Sequence, residues 1–190
     1  IVNEGAFMTG TGTISFYSRS TGQITNNIFE SKNSYPIGNI AQSMTVHNGK
    51  GYIIVNNAGK IETVNINTFE ASGPINGLTM PRYFLGINNN IGYVSEWGTG
   101  GIQGAVKVID LNTKAVLQTI VTGKGAEQMV KVGDYVYVAC GGGFDTDSVI
   151  TVINTTNHSV VTNITVGANP YYLKTDSNDN IWVLCKGKWN

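Results

Sequence analysis

GDYVYVACGGGFDTDSVITVINTTNHSVVTNITVG, residues 133–167, is the unit that the rest of the chain repeats. Tyr135 to Cys140 is rich in aromatic and β-branched residues and reads as a strand. A glycine-rich loop, 141–147, leads to a second strand from Ser148 to Ile153. A polar turn, Asn154 to His158, leads to a third from Ser159 to Val166. Clusters of Gly, Asn, Asp and Thr between such runs predict an antiparallel meander.

Two landmarks recur at one interval. The strand holding Tyr137 returns around Tyr52, Tyr93 and Trp182, which lie 41, 44 and 45 residues apart (52 to 93, 93 to 137, 137 to 182). The polar turn returns at Ser18 to Thr21, Asn65 to Thr68 and Asp110 to Thr113. A period of about 40–45 residues with four strands per repeat is the pattern of a β-propeller blade. The fold expected is all-β, built of four-stranded antiparallel blades, with about four present. Their approximate bounds are 1–29 (partial), 41–76, 81–122, 126–167 and 169–190 (partial), within a single propeller domain or fragment spanning 1–190.

In detail, TISFY and GQITNNIF read as strands of the first blade, and 30–40 as a connection. In the second blade the Asn48-Gly49 pair predicts a tight hairpin, and EASGPI the outer strand. No stretch shows a helical period of 3.6. The repeat is entered and left in the middle of a blade, and the chain begins at Ile1 without an initiator Met. The expectation is therefore a cut segment of a longer ring, with open blade edges prone to association. Tyr52, Tyr93, Tyr137 and Trp182 hold equivalent places and are expected to pack between blades. Cys140 and Cys185, one repeat apart, are expected to be buried free thiols, since equivalent strands stand too far apart for a disulfide.

Composition narrows the function. The 190 residues are 41% hydrophobic and 13% charged, with 12 basic and 12 acidic side chains. No basic field is available to recruit nucleic acid, and no apolar run is long enough for a transmembrane segment. The glycine-rich stretches 98–104 and 141–143 are followed by strands, whereas a phosphate site of this kind needs a helix N-terminus. Asp145 with Asp147, and the acidic turn 176–179, offer oxygens to calcium, but turn chemistry explains the second group and the first has two carboxylates only. His47 and His158 fall away from the loops below and form no triad with a serine and an aspartate there.

Loops between second and third strands share one propeller face with the residues that open each blade. That face gathers Phe7, Asn56, Asn57, Arg82, Tyr83, Glu96, Trp97, Gln128, Phe144, Asp145, Tyr171 and Trp189. Arg82, Tyr83, Glu96, Trp97, Gln128, Phe144, Asp145 and Tyr171 are the candidate ligand-binding residues. Aromatic planes beside amide and guanidinium groups suit a partly polar flat ligand or a sugar. The plain alternative is variable surface with a few aromatics covering the blade ends. No catalytic residue, cofactor or metal ligand is assigned. Trp97, in the long loop EWGTGGIQG, is expected to be exposed, and Arg82 to point into the central funnel unless it bridges blades through Glu127 or Glu96.

VNEG at 2–5, IAQSMTVHNGKGYIIVNN at 40–57, MPRYFLGI at 80–87, AEQMV at 126–130 and NIWVLC at 180–185 resemble the YncE-like, YVTN-type β-propellers of Bacteroidetes, often labelled surface-layer proteins. The resemblance implies a seven-bladed, lipid-anchored lipoprotein at the cell surface, in the outer membrane or in the periplasm. It implies a non-enzymatic module that captures a nutrient for an outer-membrane, TonB-dependent transporter. The BtuG-type branch, which takes cobalamin, points to a corrinoid as ligand; a glycan is the other candidate. A surface-layer or protein-interaction scaffold without a small ligand, and a calcium-dependent lactonase-like hydrolase, are the alternative functions.

Overall fold

The hairpin that holds Tyr137 pairs Tyr135–Cys140 with Val149–Asn154 in antiparallel register, Tyr137 opposite Val152. This computed structural model describes residues 1–7 and 10–188; Trp189 lies outside them. In chain order the strands are β1 Val2–Asn3, β2 Thr13–Ile14, β3 Phe16–Tyr17, β4 Ile24–Thr25, β5 Ala41–His47, β6 Lys50–Val55, β7 Lys60–Asn65, β8 Pro81–Gly86 and β9 Ile91–Glu96. They continue as β10 Ala105–Asp110, β11 Val116–Val121, β12 Ala126–Val132, β13 Tyr135–Cys140, β14 Val149–Asn154, β15 Ser159–Thr165, β16 Pro170–Thr175 and β17 Ile181–Cys185. One short helix, α1 Ile28–Asn33, and a 3-10 turn, Thr99–Gly101, complete the described elements. None of these helices is long and apolar enough to cross a membrane. The fold is all-β, and its sheets of two to four antiparallel strands follow chain order, as blades require.

The chain divides into two compact units, Ile1–Gly77 and Leu78–Asn190. In the first, β1–β2 and β3–β4 form two small sheets, and β5–β6–β7 a three-stranded one. The core gathers Ile14, Phe29, Ile37, Ile53, Val55, Val64 and Phe69. Two expectations are corrected here. The stretch 28–33 is helical: six residues are too few to display a 3.6 period, yet Phe29 is fully buried on α1 and stands edge-on to Tyr35 at 5.2 Å. The outer strand EASGPI reduces to two isolated bridges, Val64 with Ala71 and Ile61 with Ile75. Gly73, at φ 94°, and Pro74 interrupt it, since Pro brings no N–H to the ladder. The Asn33 amide replaces part of the lost pairing, taking the Ala71 N–H at 2.7 Å and donating to the Phe69 carbonyl at 3.1 Å.

The second unit holds two complete blades, β8 to β11 and β12 to β15, and the hairpin β16–β17. Its core is built from alternating residues of these sheets, among them Tyr93, Val106, Val108, Val136, Val138 and Ile153. The inner strands β8, β12 and β16 are neighbours in that order.

The polar turns have a common mechanism. Asn65 Oδ1 accepts the N–H of Asn67, Asp110 Oδ1 that of Asn112, and Asn154 Oδ1 that of Thr156, each at 2.8 Å. Four residues on, Phe69, Lys114 and His158 take the left-handed conformation, at φ 61°, 63° and 54°. Asn48 and Gly49, at φ 46° and 72°, form the hairpin turn that their sequence demands.

Of the four landmark aromatics, Tyr52 and Tyr93 are buried, and Tyr93 bridges blades, its hydroxyl 2.6 Å from His158 Nδ1. Burial pushes the Tyr93 hydroxyl up to about 12. Tyr137 packs beside Ala139, Ile150 and Leu173. Trp182 departs from the expectation: it is 67% exposed on the two-stranded β16–β17 sheet, with Nε1 donating to Asp176 Oδ2. Both cysteines are free thiols. Cys140 is buried, whereas Cys185 is only partly so, because β17 has no third strand beside it among the described residues.

Candidate functional site

Each blade opens in the same way. The residue before the inner strand is left-handed: Ile40, Met80, Gly125 and Asn169 have φ of 60°, 52°, 58° and 56°. Its carbonyl accepts the N–H of the residue that follows the second strand, namely Asn56, Trp97, Gly141 and Lys186. The register then slips between Ala41 and Ser43, Pro81 and Tyr83, Ala126 and Met129, and Pro170 and Tyr172. A β-bulge therefore sits at the second residue of β5, β8 and β16, and in β12 it spans the second and third, Glu127 and Gln128; bulges re-aim side chains. The second residues are Gln42, Arg82, Glu127 and Tyr171.

In the second unit these two repeated positions meet around one cavity of about 200 Å³. In the first of its blades Arg82 lies over the Trp97 ring, 4.2 Å from its centroid. In the last, the order is inverted: Lys186 lies over the Tyr171 ring at 3.3 Å. Between them the middle blade supplies Glu127 and Gly141. The missing side chain at Gly141 is a structural requirement, since a Cβ there would stand 2.8 Å from the Pro170 carbonyl oxygen. Glu127, 2% exposed, turns toward the first blade, accepting Arg82 Nε at 3.1 Å and Trp97 Nε1 at 3.0 Å. Burial raises the Glu127 carboxyl above its ordinary value, and the Arg82 charge and both hydrogen bonds work against that rise. Asn169, Gly143 and Asp145 close the cavity.

Of the sequence candidates, the cavity brings together Arg82, Trp97, Asp145 and Tyr171. Tyr83 lies behind it: its hydroxyl reaches that of Tyr171 at 3.4 Å, and burial followed by this contact raises its ionisation above the usual range. Gln128 spends its side chain on the next blade, accepting the Leu173 N–H at 2.7 Å. Glu96 is buried elsewhere, paired with Lys107 at 3.2 Å and accepting the Thr79 N–H. It lines a larger concavity of about 610 Å³ beside β10 and β11, whose buried carboxylate is thereby satisfied. Phe144 is 69% exposed and meets the Trp97 ring edge-on at 5.2 Å. Phe7, Asn56 and Asn57 belong to the first unit.

Two expectations about side chains change. Trp97 is half-buried because Arg82, Phe144 and Glu127 occupy its face, edge and N–H. Arg82 makes the bridge to Glu127, so it is a structural element of the site as well as part of its wall. Asp145 pairs with exposed Lys124 at 2.5 Å, which holds its carboxyl below the ordinary range. Asp147 takes the Lys124 and Ser148 N–H groups, both at 2.7 Å. No group of three or more His, Cys, Asp or Glu side chains stands ready for a metal among the described residues.

Glu127, Asn169 and Lys186 were missed as site residues from the sequence. The signal was present: aligning the blades on the residue before each inner strand places Glu127 with Arg82 and Lys186 with Trp97.

Residues 1–188 match the model of the family described as Domain of unknown function (DUF5074). The chain belongs to that family. A search of curated proteins finds no match. Among solved structures, the extracellular domain of BT3049 from B. thetaiotaomicron is similar with a TM-score of 0.67 at 16% identity, over 92% of this chain and 23% of that one. The WD40 β-propeller domain of Doa1 gives 0.64 at 13%, over 78% and 48%. Hydrazine synthase from Kuenenia stuttgartiensis gives 0.65 at 18%, over 73% and 39%. The chain thus spans less than half of each of these three, and at such identities the likeness is one of fold, a β-propeller.

Proposed function

We propose that this DUF5074 chain is a non-enzymatic binding module of a cell-surface or periplasmic propeller, with its ligand seated in the cavity between Trp97 and Tyr171. The observation that carries this reading is the convergence of three successive bulges on one small polar cavity. Loops and strand ends on a rigid scaffold are common places for recognition. The buried carboxylate of Glu127 is held by two donors and has the character of a positioning group rather than a free base. The extracellular setting named for the BT3049 domain supports a surface location.

The finer reading is capture of a corrinoid or a glycan for an outer-membrane transporter. The test is calorimetric titration of the chain with cyanocobalamin and with a panel of oligosaccharides, repeated with Trp97→Ala. Saturable binding that Trp97→Ala weakens by about 1–3 kcal/mol, the range for interface anchors, supports the module. Absence of binding to both panels favours a scaffold without a small ligand.

A further inference from the structure

Asn169, a residue of the cavity lining, carries a buried polar atom with no partner. Asn169 is 6% exposed, and its Nδ2 donates to the Gly187 carbonyl at 2.6 Å. That bond fixes which amide atom is the oxygen, and Oδ1 is a buried acceptor with no donor among the described residues. A buried acceptor left unmet is destabilising. The left-handed backbone does not demand an amide here, because Gly125 serves the same position one blade earlier. The group that meets Oδ1 must therefore bring an N–H or O–H.

Charge selects between donors. Arg82 is paired with Glu127, and Asp145 with Lys124 outside the cavity. Lys186, resting on the Tyr171 face and acting on the Glu127 carboxyl through its charge, is the charged group of the lining that has no ion pair among the described residues. A ligand ammonium would enter beside a cation that has no ion pair of its own, which favours a neutral donor. A hydroxyl gives to Oδ1 and, through its own oxygen or a neighbour's, accepts from Lys186, which an amide N–H alone does not do. Size limits the rest: about 200 Å³ is below the roughly 300–1,000 Å³ of sites for drug-sized molecules, so of a larger ligand only one ring-sized group would enter.

Building on the proposed binding role, we infer that this cavity takes a hydroxylated ligand, neutral or acidic and the size of one sugar ring, with Asn169 Oδ1 as the buried acceptor for a ligand hydroxyl and Lys186 as the outer donor. Asn169 is then the residue that sets specificity.

The experiment is an NMR titration of the ¹⁵N-labelled chain, following the Asn169 side-chain amide, with glucose, glucuronate and glucosamine at millimolar concentration and with cyanocobalamin. The amide is expected to shift with glucose and glucuronate, glucuronate binding tighter and glucosamine weakest. Asn169→Gly, which suits the φ of 56° and copies Gly125, should weaken sugar binding about tenfold while the cooperative melt is kept, with the loss of the Gly187 hydrogen bond lowering its midpoint by a few degrees at most. Lys186→Met should remove the preference for the uronate. Unchanged sugar affinity in Asn169→Gly, or glucosamine binding best, overturns the inference. If cyanocobalamin alone moves the amide, the inference fails while the binding role stands; if no probe moves it, both fall.

Discussion

Removing the Glu127 side chain tests the centre of the site most directly. Glu127→Ala takes away a carboxylate that is 2% exposed and accepts from both Arg82 and Trp97. It removes the Glu127 charge that faces the Arg82 guanidinium, on a side chain 11% exposed, and the acceptor of the Trp97 N–H. Breaking one side of a buried ion pair costs about 3–5 kcal/mol. Relief of the burial cost that raises the Glu127 carboxyl acts in the opposite direction, which places the net loss near the lower end, about 3 kcal/mol. For a chain of this length that is a fall of about 6–12 °C in melting temperature. Chemical denaturation of wild type, Glu127→Ala, Arg82→Leu and the double variant then gives the coupling, expected at about 2 kcal/mol, because replacing both charges leaves neither one stranded. The pH dependence has a definite sign. Since the folded carboxyl ionises above its ordinary value of 4.5, its contribution is full below that value and is lost as pH rises through the folded one. Wild type should therefore gain stability relative to Glu127→Gln as the solution is acidified toward 4.5. A loss below about 1 kcal/mol in Glu127→Ala, with additive single variants, would refute the account of Glu127 as the keystone of the cavity.

Gly141→Ala should destabilise the second unit and abolish ligand binding, because its methyl group would press on the Pro170 backbone; a thermal melt and the titrations above measure both. Asp176, held down to about 2 by Asn180, Trp182 and the turn backbone, contributes stability above the ordinary aspartate value of 3.8 that is lost as pH falls through about 2, and Asp176→Asn should flatten the acid limb of the denaturation profile in that window. Of the two thiols, Cys185 should react with a disulfide reagent under native conditions well before Cys140, whose burial both shields it and raises its ionisation; equal rates at pH 8 would contradict the packing described.

The blades were legible because their signals are local and repeat. Tyr135 to Cys140, the Asn48-Gly49 turn and the Asx turns at Asn65, Asp110 and Asn154 each announce themselves within a few residues, and the period multiplies the signal. The α1 helix was not legible, since its one deeply buried side chain, Phe29, leaves no pattern in six residues. Half of the site was found and half was not, for a reason that lies in geometry. Arg82, Trp97 and Tyr171 stand out by chemical type. Glu127 resembles any blade-opening carboxylate until a bulge turns it toward Arg82, and Glu96, equally conspicuous in the sequence, is claimed by Lys107 one strand away. Trp97 looks exposed in a long glycine-rich loop, and only its three contacts bury half of it.

The bulged residue at each blade opening stands outside the ladder: Gln42, Arg82 and Tyr171 fall between paired neighbours and help fix no register. A side chain so placed can be exchanged without disturbing strand alignment, and its companion after the second strand joins the frame through its backbone N–H, whichever side chain it carries. The first and last blades of the second unit thereby carry two editable slots each, while the middle blade keeps Glu127 and Gly141 fixed between them. The inverted pairs Arg82–Trp97 and Tyr171–Lys186 are two settings of the same slots. A propeller of this kind can change what it recognises by rewriting two letters per repeat, which makes these positions the natural targets for a library that seeks new ligands on an unchanged scaffold.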